Sequence, residues 1–209
     1  MYTPSAFRET RLPVLHAAIE EIALASLVST EAGGMQVSHI PMLLARDEGP
    51  YGTLYGHIAR ANAHGALRGA ASLAIFLGTH GYISAGWYPG KRTHGKEVPT
   101  WNYIAVHAHG TLETFDDPAA LRQLLGKLTD RHERGRTEPW RIDDAPAEYI
   151  DRMLGAITGL RLSIERLEGK WKLSQNRTAA DRQGVLAGLA ETDDEASRRM
   201  AEAIRNASP

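Results

Sequence analysis

Hydrophobic and polar positions alternate in short runs whose period changes repeatedly along the chain. Leu12, Leu15, Ile19 and Ile22 recur at helical spacing with acids on the other side, which predicts a helix over 10–21. Residues 22–30 are rich in leucine, valine and small side chains. The Ala32-Gly33-Gly34 break then suits a turn, and 35–45 reads as the second arm of a hairpin. Further strands are expected over 51–59 and 71–77, bounded by glycine-containing turns, with 62–69 as a loop or one helical turn. The clearest strand is 100–115. Ile104, Val106, Ala108, Gly110 and Leu112 share one face, and Ala105, His107, His109, Thr111 and Glu113 the other.

Helices come late. Asp117-Pro118 offers a capping carboxylate followed by proline at the first helical position, and Leu121, Leu124, Leu125 and Leu128 make the stripe behind it. A second helix is expected from about Pro146, with Tyr149, Met153 and Ile157 on its buried face. Leu160, Leu162 and Ile164 return to strand alternation, and helical sequence resumes over 178–189 and 193–204. About six strands that do not alternate with helices argue against a parallel doubly wound sheet. The fold class is mainly β with peripheral helices, an antiparallel barrel over 22–115 and 158–168 that closes without exposed edges. One domain spans 1–190, with 191–209 as a C-terminal helical tail.

Composition narrows the chemistry. A net charge of -1 gives no global basic field, so any DNA contact is left to a local patch such as 91–96 or the helix around Arg198 and Arg199. The absence of cysteine removes disulfides, thiolate metal sites and cysteine nucleophiles. The first residues carry an acid, a proline and no apolar run, so neither a signal nor a membrane anchor is expected, and the expected location is cytoplasmic. No Rossmann fingerprint, Walker loop or nucleophile elbow is present. A nucleotide would need hydroxyls, backbone amides and an arginine or lysine instead.

Three segments offer such groups. His57-Ile58-Ala59-Arg60-Ala61-Asn62 ends a strand with an imidazole, a guanidinium and an amide close together, although an arginine there serves equally as a solvated charge. Residues 82–103 hold Tyr82, Trp87, Tyr88, Trp101 and Tyr103 interleaved with polar residues. This mix suits a core, or the walls of a site for a planar heterocycle. Lys170 and Lys172 fall on one side of an extended segment, with Ser174 in register and Gln175 opposite. Two cations on one strand face need an anion or solvent. His107 and His109 point the same way, but two ligands are not a metal site, and no metal is expected.

Met1-Tyr2 with Pro4 and Phe7, Ser38-His39-Ile40-Pro41, Gly56 to Asn62, Trp87-Tyr88, Val98 to Tyr103 and Gly169 to Asn176 together resemble the signature blocks of the PaiB-like family of transcriptional regulators. The resemblance implies a split β-barrel that binds FMN as a homodimer, with a label of negative transcriptional regulator. It implies a phosphate grip from Arg60 with His57, and an approach of Lys172 with Gln175 to the flavin ring or the substrate. The cofactor-binding residues it suggests are His57, Ile58, Ala59, Arg60, Asn62, Thr100, Trp101, Asn102, Lys172 and Gln175. No residue stands out as a proton donor to a substrate, so an FMN-binding protein whose flavin-dependent oxidoreductase activity is weak or absent is the reading. A DNA-binding repressor without redox activity and a haem-binding split barrel are the alternatives.

Overall fold

The computed structural model describes residues 1–31, 33–192 and 194–207. Ala32 of the expected turn, Asp193 at the expected start of the last helix, and Ser208 and Pro209 of the tail lie outside them. In chain order the elements are β1 (Arg8–Glu9), α1 (Leu12–Ile22), β2 (Leu24–Glu31), β3 (Gly34–Pro41), β4 (Leu43–Ala45), β5 (Thr53–Ala59), β6 (Ala71–Ile83) and α2 (Gly90–His94). Then follow β7 (Thr100–Phe115), α3 (Pro118–Glu133), α4 (Ala147–Gly155), β8 (Ile157–Lys172), α5 (Ala179–Glu191) and α6 (Glu195–Asn206). The strands form one sheet in the order β3-β2-β6-β7-β8-β5-β4, with β1 paired to β8. The pairings β1–β8, β2–β3, β2–β6, β4–β5 and β5–β8 are antiparallel.

The expected antiparallel split barrel is present, but without the continuous closure. The hydrogen-bonded path begins at β3 and stops at β4, leaving both as edges. Where the two sides approach, β5 lies against β3 without a hydrogen-bonded ladder. A Cβ at Gly56 of β5 would lie 2.9 Å from Ile40 Cγ2 and 3.2 Å from the Pro41 carbonyl of β3, so only glycine lets β3 lie this close. Pro41 brings no N–H to extend a ladder, and the next N–H, that of Met42, donates to the Ala23 carbonyl at 2.9 Å. The arm expected over 35–45 therefore breaks into β3 and β4.

Three other expectations change. β6 runs on to Ile83 rather than ending at residue 77, because Gly78 and Gly81 keep extended backbone rather than the positive φ of a turn. β8 likewise continues to Lys172, so the late lysines sit in the sheet. In α4 the buried residues are Ile150 and Leu154, which pack with Leu121 of α3, while Tyr149 and Met153 are exposed. Two apolar pairs at the same spacing competed, and packing against α3 selected the phase.

The chain divides into two units. The first comprises Met1–Ala18, Leu77–His107 and Glu168–Pro209. Its core joins Ile83, Tyr88, Leu173, Val185, Leu189, Met200, Ala201 and Ile204, so α5 and α6 share one cluster on either side of residue 190. Thr178 caps α5, accepting from the Asp181 N–H at 3.1 Å. α5 packs tightly on Trp87: a Cβ at Gly184 would sit 2.1 Å from its carbonyl oxygen. The second unit comprises Ile19–Phe76 and Ala108–Leu167. Leu27, Leu54, Phe76, Leu112, Leu160 and Leu162 are fully buried there, and Asp117 caps α3 through the Ala120 N–H at 2.8 Å.

Candidate functional site

In the second unit, β5 alternates as a half-buried strand must, burying Ile58 and turning His57 to the other side. Ile58 is therefore core and offers a ligand at most its backbone, as does exposed Ala59. His57 has a buried Nδ1 without a hydrogen-bond partner among the described residues, and burial holds its pKa below the ordinary histidine value. Arg60 is more committed than a strand-end charge. Its Nε donates to the Gly155 carbonyl and Nη2 to the Ile157 carbonyl, both at 2.8 Å, while Nη1 lies 3.1 Å from Asp116 Oδ1. It braces the entry into β8, with about half its side chain exposed.

Asn62 belongs to a polar network that runs inward, and the hydrogen bonds settle where its protons lie. The Ser72 hydroxyl donates to the Ala70 carbonyl, so Ser72 Oγ must accept from Ser29 Oγ, 2.5 Å away. Ser29 Oγ in turn accepts from His64 Nε2 at 3.0 Å. The imidazole is then neutral, with Nδ1 as the acceptor of the Ser38 hydroxyl proton at 2.8 Å; the 3.5 Å separation of Ser38 Oγ from Asn62 Oδ1 is too long to compete. Asn62 Oδ1 accepts from the His64 N–H at 2.9 Å and its Nδ2 donates to Ser38 Oγ at 3.2 Å. His64 is fully buried, and that burial holds its pKa low, in keeping with the neutral ring. Nothing in the sequence marks His64, because its partners lie on separate strands.

The same unit has an open cleft of about 410 Å³ lined by Tyr55, Arg68, Glu113, Phe115 and Arg161 among others. Arg161 pairs with Glu113 at 2.7 Å, and the Tyr55 hydroxyl donates to Glu48 at 2.5 Å. Alternation along β5 places Tyr55 on the side of His57, which is the signal that could have found it.

In the first unit, Thr100 and Lys172 meet: the Lys172 ammonium donates to Thr100 Oγ1 at 2.5 Å. Lys172 is half-buried, and desolvation, with repulsion from Lys170 and Arg177, holds its pKa below the ordinary lysine value. Trp101, 54% exposed, has a tilted His80 and an edge-on Tyr82 as ring neighbours, each with its ring centroid 6.3 Å from the indole. Asn102 and Gln175 are spent on scaffold. Buried Asn102 donates to Ser174 Oγ at 2.9 Å. Gln175 accepts from the Leu173 N–H at 2.7 Å and donates to the Trp171 carbonyl at 2.6 Å. Together they hold Ser174 in the left-handed region, φ 63°, so residues 174 and 175 form a turn instead of continuing the strand. An exposed indole and, separately, an ammonium held by a hydroxyl are groups that a planar heterocycle with polar edges can use, and FMN is such a heterocycle.

The family described as "Putative FMN-binding domain" matches residues 1–166. Lys172 and Gln175 lie beyond the matched range. An uncharacterized protein of Aspergillus fumigatus is 31% identical, the match covering 98% of this chain and 97% of that protein. The protease synthase and sporulation protein PAI 2 of Bacillus subtilis is 28% identical, with 99% and 97% covered. The fold is similar to that of the FAD and haem binding protein of Mycobacterium smegmatis, with a TM-score of 0.58 at 22% identity over 79% of this chain and 73% of that one. The family match, the end-to-end relatives and the open antiparallel sheet agree: the chain belongs to the FMN-binding-domain family, as a split-barrel protein similar to PAI 2 whose cofactor is FMN.

Proposed function

We propose that this chain is an FMN-dependent redox protein of the cytoplasm that works as a homodimer. The observation that carries the redox reading is the half-buried Lys172 ammonium held by Thr100, in a chain of the FMN-binding family. FMN supplies the electron or hydride transfer, and the protein supplies binding and electrostatics. Trp101 walls the ring. Lys172, unneutralised by any carboxylate among the described residues, stabilises negative charge as it develops on reduction. In the second unit, Arg60 is proposed on its own as a contact for an anion such as phosphate. Two carbonyls fix its guanidinium plane, and its pairing with the exposed Asp116 is weak enough for a phosphate to displace. Nearby His57 and Asn62 border this position on the chain.

A second copy is the proposed cover for the edge around β3. Leu24, Met35 and Val37 are between 50% and 72% exposed there, an unusual load of apolar surface for an unprotected edge. No helix among the described residues is long and apolar enough to cross a membrane. A direct role on DNA draws less support. α5 and α6 follow each other closely, but α6 opens with Asp194 and Glu195, where a recognition helix would meet phosphates and bases, and Arg199 is paired with Glu195 at 2.5 Å. Denaturing the purified protein and weighing what it releases tests the proposal. FMN, one per chain, in a particle of twice the chain mass by light scattering is expected. A colourless monomer that takes up no added FMN overturns it.

A further inference from the structure

The first unit carries more positive charge in its interior than it neutralises. Lys170, only 8% exposed, donates to the Tyr2 carbonyl at 3.1 Å and lies 5.1 Å from the Tyr103 ring centroid and 5.8 Å from that of Tyr2. Lys172, two residues on and on the same strand face, has Thr100 as its hydrogen-bond partner. The carboxylates near this face are already engaged. Glu97 pairs with Arg177 at 2.6 Å, and Glu168 with the α-amino group of Met1 at 2.9 Å. No ion pair joins either lysine to a carboxylate among the described residues. Carbonyls, hydroxyls and aromatic faces solvate an ammonium, but they do not cancel its charge, and an uncompensated cation away from water is costly.

We propose that Lys170 and Lys172 form a site for an anionic group, a phosphate or carboxylate. Lys172 donates to the anion directly, and the more deeply placed Lys170 strengthens the field behind it. Thr100 Oγ1, the partner that Lys172 keeps, fixes the ammonium at the mouth of the site. The anion has two sources: the flavin's own phosphate, or the anionic end of a separate redox substrate. The second source rests on the FMN reading; the site itself does not.

Titration of inorganic phosphate into flavin-free protein, read by isothermal calorimetry, tests the site without the cofactor. Lys172→Met is expected to weaken phosphate at least tenfold and Lys170→Met several-fold, whereas Lys172→Arg keeps most of the affinity. Circular dichroism verifies the fold of each variant, and Lys172→Gln carries the test alone should Lys170→Met fail to fold. Unchanged phosphate affinity in the folded Lys172 variants, or no phosphate binding by the unsubstituted chain, overturns the proposal. FMN and riboflavin titrations then identify the source. Loss confined to FMN assigns the site to the flavin phosphate, and loss of phosphate binding with both flavins unaffected assigns it to a separate substrate. Failure of the FMN reading appears only in these last titrations.

Discussion

His64 and Lys172 are both ionisable side chains set among hydroxyls on the sheet, and their surroundings treat them in opposite ways. Around His64 every donor has an acceptor, the ring is neutral, and the chain of hydroxyls ends on a backbone carbonyl. Around Lys172 the hydrogen-bond partner is a single threonine, and burial above all lowers its pKa, with Tyr103 opposing the shift and Lys170 and Arg177 adding to it. Buried polar groups that satisfy one another specify a fold, whereas charge left without a counter-ion carries a cost that only something outside the chain can offset. The contrast sets the scaffold of the Ser29–His64–Ser72 network against the Lys172 face, proposed above as an anion site.

Removing a member of the satisfied network should have the largest effect. His64→Ala strands Ser29 and Ser38 and leaves a cavity, so it should lower unfolding stability by about 3 to 4 kcal/mol, measured by urea denaturation. Met200→Ala in the shared α5–α6 core should cost about 3 kcal/mol in the same measurement; a negligible change would mean that α6 is peripheral to that unit. Arg60→Ala should weaken FMN by about tenfold to more than a hundredfold, equivalent to about 1.5 to 3 kcal/mol. Its brace to Gly155 and Ile157 makes a parallel stability measurement part of that experiment.

The pH dependence has a definite sign. His57 and His64 are held neutral by burial, with pKa values below the ordinary 6.5, so the unfolded chain binds more protons as pH falls. Their contribution to stability is full above that value and is lost as pH drops through the lowered folded-state values. Thermal unfolding between pH 8 and 5 should follow this course, and the His64→Ala variant should show a shallower decline. Lys172→Met should have the smallest effect on stability, within about 1 kcal/mol of the parent, because it removes an uncompensated cation. The same variant should make bound FMN harder to reduce, read as a lower midpoint potential. A large loss of stability would place Lys172 with His64 as scaffold and erase the contrast.

Much of the frame was legible in the chain. The strand 100–115 and the Asp117 cap were read to the residue, because strict alternation and an Asp-Pro helix start leave few competing conformations. β6 was cut short because an extended glycine and a turn glycine look alike until strand pairing chooses between them. α4 was read in the wrong phase because Tyr149 and Met153 repeat at the spacing of Ile150 and Leu154. Within the site, Lys170 and Lys172 were visible as two cations on one face, but their lack of carboxylates was not, since it depends on where Glu97 and Glu168 find partners. Asn102 and Gln175 were legible as polar groups but not as partners of Ser174, Leu173 and Trp171, because a side-chain amide serves a turn and a cofactor equally well. His64 left no trace: its network is assembled from Ser29, Ser38 and Ser72, which come together only in the folded sheet.

The most direct test of the central claim is an equilibrium titration of FMN into flavin-free protein, followed by flavin fluorescence with riboflavin in parallel. The account predicts saturation at one FMN per chain and weaker binding of riboflavin, which lacks the phosphate. Fluorescence that stays that of free FMN at every protein concentration would contradict it.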